Sequence, residues 1–129
     1  MLPLMASTTP NGTRCLQCSM IEALANGRDD MEMMREQYRL RRNFIVKSLN
    51  EIGLKCHLPV GSFYSFPSIA STGLSAREFA VQLLEQERVA LVPGNAFGPG
   101  GEGHVRASFC SAMPDIEKAV ERSAKFVKR

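Results

Sequence analysis

No stretch of this 129-residue sequence approaches the roughly 20 consecutive apolar residues that a bilayer-spanning helix needs. Uncharged apolar runs such as Val89-Ala90-Leu91-Val92 are far shorter, which argues against a membrane protein. The opening Met1-Leu2-Pro3-Leu4-Met5 has neither the basic start nor the longer apolar core of a secretory signal. Cysteine is sparse: 4 residues are too few for a disulfide scaffold and, beside 7 methionines, suit a reducing interior. A cytoplasmic location is the resulting expectation. Concentrated basic charge is missing too. The 16 basic and 13 acidic residues give a net charge of +3 and are spread along the chain, a weak footprint for nucleic acid. There is no internal repeat and no low-complexity tract.

What is present is enough for one domain of ordinary size. At 44% hydrophobic and 22% charged, the chain reads as a soluble globular protein with a single core. Residues 1–13 are rich in Ser, Thr, Pro, Asn and Gly without periodicity, as in an arm or linker. Leu16, Met20, Ile21 and Leu24 then recur at helical spacing, with Gly27 as a stop. Asp29 and Asp30 stand where an N-cap and a first-turn acid belong. A long helix is predicted from there to Gly53, with Met34, Tyr38, Ile45, Leu49 and Ile52 on one face. Leu54–Leu58, the turn Pro59-Val60-Gly61 and Ser62–Phe66 read as a β-hairpin halted at Pro67.

Ser75-Ala76-Arg77-Glu78 spells a capping box, with Leu74 and Phe79 as its hydrophobic staple. Val89–Val92 reads as a short buried strand. Pro93–Gly103 is glycine- and proline-rich and must be a loop. In His104–Cys110, Val105, Ala107 and Phe109 alternate with Arg106 and Ser108, as in a half-buried strand. Pro114 and the series Ile116, Val120, Ser123 and Val127 mark a final amphipathic helix. The expected fold is α+β: a small, mainly antiparallel sheet of three or four strands packed against helices, with a long N-terminal helix.

Several motifs match by letter only. Gly98, Gly100 and Gly103 spell G-x-G-x-x-G, but the next element alternates as a strand, whereas a dinucleotide site needs a helix N-terminus there. Cys15 and Cys18 form a lone C-x-x-C. With Cys56, His57, His104 and Cys110 they match no standard zinc spacing, so ordinary thiols are the plainer reading. His57 and His104 lack a nearby nucleophile with a supporting acid and read as structural. Arg106 is different. It lies mid-strand just after the Gly-rich loop, opposite the apolar face, and a guanidinium fixed in that way suits bidentate capture of a carboxylate or phosphate. A structural ion pair is an equally weighted reading on local grounds.

A wider pattern resolves that balance. Val92-Pro93-Gly94-Asn95-Ala96-Phe97-Gly98-Pro99-Gly100-Gly101-Glu102-Gly103-His104-Val105-Arg106-Ala107-Ser108-Phe109 closely resembles the C-terminal signature of class I/II aminotransferases, pyridoxal-phosphate enzymes of fold type I. Pro59-Val60-Gly61-Ser62-Phe63-Tyr64-Ser65-Phe66-Pro67 resembles the family's P-x-G-x-F-Y hairpin, and Arg41-Arg42 through Gly53 resembles the helix entering its small domain. The resemblance spans about residues 7–129. It implies an aspartate-aminotransferase-like small domain over 29–129, preceded in 1–28 by a linker and the last helix of a large domain. It also implies that Arg106 grips the substrate α-carboxylate, with Gly94, Gly98 and Gly103 shaping the loop beneath the site.

The same family needs a Schiff-base lysine in a Ser-Lys segment followed by Gly-x-Arg-x-Gly. Lys47 and Lys55 stand in no such motif, nor does any residue match the family's phosphate-binding positions or the aspartate on the pyridine nitrogen. The resemblance therefore implies pyridoxal 5'-phosphate in a full-length enzyme and none held by this chain alone, which is expected to be inactive. Amino acid and 2-oxo acid substrates and a homodimer are implied, with no nucleic-acid or membrane partner. A lyase or synthase of the same fold, and a non-catalytic interaction module, are the alternatives.

Overall fold

The structure is a computed structural model and describes residues 10–128, with side chains from Arg14 onward. The chain divides into two compact units after Glu36. The first contains helix α1, Pro10–Asn26, and the opening turns of α2, Arg28–Glu51. Helix α1 thus takes in residues 10–13, which the sequence assigns to the arm; the rest of that arm lies outside the described residues. The break at Gly27 falls where expected, and Asp29 and Asp30 occupy the first turn of α2 rather than its cap. Every described side chain from Arg14 to Glu36 is exposed apart from Gly27 and Glu32, which are intermediate. Met34, on the apolar face read from the sequence, is 56% exposed, because no element of its own unit packs over it.

The second unit runs from Gln37. It holds the rest of α2, strand β1 (Tyr64–Ser65), helix α3 (Ala76–Glu87), strands β2 (Val92–Pro93) and β3 (Val105–Ser108), and helix α4 (Met113–Val127). The three strands form a sheet in the order β1-β3-β2, with both pairings antiparallel. Fold class and sheet therefore agree with the sequence reading. Ile45, Val46 and Leu49 of α2 pack into a core with Leu54, Ile69, Phe79, Leu83, Val105, Phe109 and Ile116. The ring of Phe126 on α4 meets Phe79 of α3 edge-on at 5.3 Å. Gly53, at φ +91°, ends α2 in the left-handed region where a side chain is strained.

The expected hairpin does not form. Tyr64 and Ser65 pair with Ser108 and Ala107 of β3, and Leu54–Leu58 is not a strand. Its backbone groups are taken elsewhere. The Asn50 side chain donates to the Cys56 carbonyl at 3.1 Å and accepts from the Cys56 N–H at 3.1 Å, while Ser68 N–H donates to the Lys55 carbonyl at 2.8 Å. With those groups satisfied, the segment keeps the strand-like burial of Leu54 and Cys56 without a ladder partner.

The expected strand at Val89–Val92 shortens to Val92–Pro93, after Arg88 closes α3 at φ +58°. Pro93 has no N–H to donate and sits on an edge strand, where none is required. The alternation in β3 is as expected: Val105 and Ala107 are buried, Arg106 is intermediate and Ser108 is exposed. The capping box of α3 is fully formed, with the Ser75 side chain accepting from Glu78 N–H and Glu78 accepting from Ser75 N–H at 3.0 Å.

Candidate functional site around Arg106

β3 is the middle strand, and Arg106 lies on the face opposite the buried Val105 and Ala107. Its Cζ sits 4.2 Å from the centroid of the Tyr64 ring and 4.4 Å from that of Phe97. Tyr64 comes from β1, the neighbouring strand, and Phe97 from the Gly-rich segment that leads into β3. Such contacts draw the cation toward the ring quadrupoles without using its N–H donors. Among the described residues, the guanidinium has no acidic partner and no hydrogen-bond acceptor. The ion-pair reading of Arg106 finds no partner there. What remains is a charged fork held by rings, with donors available to an incoming anion.

The aromatic surroundings extend further. Phe66 meets Phe97 edge-on at 6.4 Å and stacks on His104 at 5.4 Å with the rings 6° apart. On the other flank, Phe63 contacts Tyr64 at 4.6 Å. Phe97 is 53% exposed, so this is a surface lined with rings rather than a closed core. His104, one of the histidines singled out in the sequence, is occupied by this stacking and by a contact from Nδ1 to the Glu102 carbonyl at 3.2 Å. His57 is exposed on the loop after α2.

The loop that carries Phe97 is built from two 3-10 turns, Gly94–Phe97 and Pro99–Gly101. They close on each other so tightly that a Cβ on Gly94 would overlap the Gly101 carbonyl oxygen, and a Cβ on Gly101 would overlap the carbonyl oxygen of Gly94. Gly94 N–H also donates to the His104 carbonyl at 2.8 Å, which joins the loop to the start of β3. A strand, not a helix, comes after Gly103, so the G-x-G-x-x-G letters have no helix N-terminus at which to seat a pyrophosphate.

One residue of this assembly gave no sequence signal. The Glu102 carboxylate accepts from Ala76 N–H at 2.8 Å through Oε1 and from the Asn95 side chain at 3.0 Å through Oε2. Ala76 is the first residue of α3, and its N–H is one of the donors that a helix leaves unpaired at its start. The Ala76 amide is the main cause holding the Glu102 carboxyl below its ordinary range. Ala76 and Glu102 are 26 residues apart, so no local motif joins them.

The remaining candidates do not converge on Arg106. Cys15 and Cys18 are exposed on α1, Cys110 is exposed after β3, and Cys56 is buried. Among the described residues, no three His, Cys, Asp or Glu side chains are grouped to hold a metal ion. No helix among them is long and apolar enough to cross a membrane.

Comparison with known proteins places the chain itself in one class. Residues 4–122 match the aminotransferase class I and II family, and the chain belongs to it. The Bacillus subtilis protein YugH is 50% identical over 111 residues, which are 86% of this chain and 29% of that protein. Aromatic-amino-acid aminotransferase 2 of Thermococcus litoralis is 46% identical over 76% of this chain and 25% of its own length. Among solved structures, an aromatic aminotransferase from Pyrococcus horikoshii superposes with a TM-score of 0.80 at 44% identity, covering 83% of this chain and 29% of that one. The chain thus spans about a quarter to a third of the length of these relatives.

Proposed function

We propose that residues 29–129 are the small domain of a pyridoxal-phosphate-dependent amino-acid aminotransferase, and that Arg106 binds the α-carboxylate of the amino acid and of the 2-oxo acid. The observation that carries this reading is the Arg106 guanidinium: flanked by Tyr64 and Phe97, and without an acidic partner among the described residues. A bidentate carboxylate contact at a rigid strand fixes the orientation of the bound amino acid, and with it the direction of the bond to be broken at Cα. Family membership supports the reaction class, and the ring-held cation supports the role of the residue.

Pyridoxal 5'-phosphate supplies the electron sink in this chemistry. The residues of this chain do not fit that group. Arg106 is flanked by aromatic rings, Lys47 is an exposed α2 residue paired with Glu51 at 3.8 Å, and Lys55 is exposed on the loop after α2. In this reading the Schiff-base lysine, the pyridine partner and the phosphate-binding residues belong to a large domain of a full-length enzyme. Residues 1–28 are the connection and last helix of that domain, and 29–129 are the small domain. The chain alone is inactive. The full-length enzyme is a cytoplasmic homodimer that uses amino acid and 2-oxo acid substrates.

The test is Arg106→Lys in a full-length enzyme carrying this segment. The expected result is a loss in kcat/KM of tenfold or more, about 1.4 kcal/mol of transition-state stabilisation. A much smaller loss overturns the assigned role.

A further inference from the structure

We propose that Glu102 is a positioning residue for Arg106, acting through Asn95 and the Gly94–Phe97 turn to hold the Phe97 ring against the guanidinium. The proposal deepens the reading of Arg106 as the carboxylate clamp and rests on it. Phe97 contributes one of the two rings that flank Arg106, at 4.4 Å, yet the residue is 53% exposed. Apart from Arg106 and an edge-on contact with Phe66 at 6.4 Å, no ring or cation contact among the described residues holds Phe97, so its place depends on how its backbone is held. A turn of Gly94-Asn95-Ala96-Phe97 between Pro93 and Gly98 has few side chains to hold it, and its start carries no side-chain cap.

Glu102 provides the missing anchor. One carboxylate oxygen binds the Ala76 N–H at 2.8 Å, so that oxygen is tied to the N-terminus of α3, whose Ala76, Phe79 and Leu83 are in the core. The other binds the Asn95 side chain at 3.0 Å, two residues before Phe97 in the same turn. The carboxylate is thus a bracket between a rigid helix and the turn that presents the ring. A negative charge at a helix N-terminus is favourable there, which keeps the bracket ionised and two-armed. The abutting Gly94 and Gly101 backbones close the far side of the turn. No ion pair joins Glu102 to Arg106 among the described residues, so Glu102 acts on the cation through geometry and leaves its charge uncompensated.

The arms of the bracket separate the proposal from a purely structural role. Asn95→Ala cuts only the arm to the turn and leaves the α3 N-terminus capped by Glu102. Glu102→Ala cuts both. The experiment uses the whole 129-residue chain, labelled with ¹⁵N-arginine, and reads the Arg106 Nε–H resonance with and without pyruvate as the carboxylate probe. Between two rings that resonance is expected to be displaced upfield. Phe97→Leu should return it downfield and weaken pyruvate binding about twofold to fivefold, the size of an exposed cation–π contact. Phe97→Tyr should restore both.

Asn95→Ala and Glu102→Ala should move the resonance in the same direction as Phe97→Leu. The backbone amide signal of Arg77, in the first turn of α3, should stay in place in Asn95→Ala. An Arg106 resonance unmoved by Asn95→Ala overturns the proposal, and this variant decides the matter even if Glu102→Ala fails to fold. An Arg106→Lys chain that keeps its pyruvate affinity, read by isothermal calorimetry, overturns the carboxylate reading instead; the unliganded shifts of the other variants then still decide whether Glu102 positions the arginine.

Discussion

Arg106 and Phe97 meet with the guanidinium carbon 4.4 Å from the ring centroid, although Phe97 belongs to a turn and Arg106 to the central strand of the sheet. The contact leaves the arginine donors free of protein acceptors among the described residues. A cation held by a face contact, rather than by an acid, is immobilised without being neutralised. That is the property a carboxylate clamp requires.

Stability should depend on pH through Glu102 and Glu78. Both carboxyls lie below their ordinary value of 4.5, Glu102 chiefly through the Ala76 amide and Glu78 chiefly through the Ser75 hydroxyl. A lowered folded-state pKa means that protonation favours the unfolded chain. The contribution is fully present above the ordinary carboxylate value and is lost as pH falls through the lowered one. Urea midpoints should be level between about pH 7 and pH 5 and fall below that. Glu102→Gln should flatten part of the fall; an unchanged slope in that variant contradicts the assignment.

The capping box gives a second prediction. Ser75→Ala removes the acceptor for Glu78 N–H and should destabilise the chain by about 1 kcal/mol. Denaturant midpoints of the two proteins, at equal slope, measure this directly. A change within a few tenths of a kcal/mol would show that Glu102 alone suffices at the start of α3.

How far these features were legible depends on the sequence distance over which each is determined. The start of α3 was readable because Ser75, Glu78, Leu74 and Phe79 are neighbours in the chain. The alternation of β3 was readable because Val105 to Phe109 carry it themselves. The partner of β1 was not. Tyr64 and Ser65 pair with residues more than forty positions away, and the nearer segment is withheld from them because Asn50 bonds both backbone groups of Cys56. Arg106 stood out as a candidate from its place in β3, yet Tyr64 and Phe97 come to it from two other segments. Glu102 reads in sequence as one acid in a glycine loop; only folding brings Ala76 to it.

Thiol chemistry should separate the cysteines. Burial pushes the Cys56 thiol up from its ordinary value, and the Phe66 backbone only partly offsets this. A raised pKa lowers the thiolate fraction, and burial limits access as well. Cys15, Cys18 and Cys110 are exposed. Alkylation near pH 8 should therefore show three fast sites and one slow one, resolved by peptide mass mapping. Labelling of Cys56 as fast as the others would contradict its buried position.

The N-terminal unit presents Leu16, Met20, Ile21, Leu24, Met31 and Met34 to solvent, with Leu24 at 83% exposure. Apolar side chains gathered on so short a segment favour association. Sedimentation of the 129-residue chain should show a mass that rises with concentration, and Leu16→Ser combined with Ile21→Ser should suppress the rise. A monomer at high concentration would count against an apolar face that needs covering.

The central claim is that Arg106 binds a carboxylate, and its most direct measurement is a pyruvate titration of the ¹⁵N-arginine-labelled chain at constant ionic strength. The account predicts a saturable shift of the Arg106 Nε resonance, larger than that of any other arginine, with pyruvate binding lost in Arg106→Lys. An Arg106 signal that stays still while other arginines respond would contradict it.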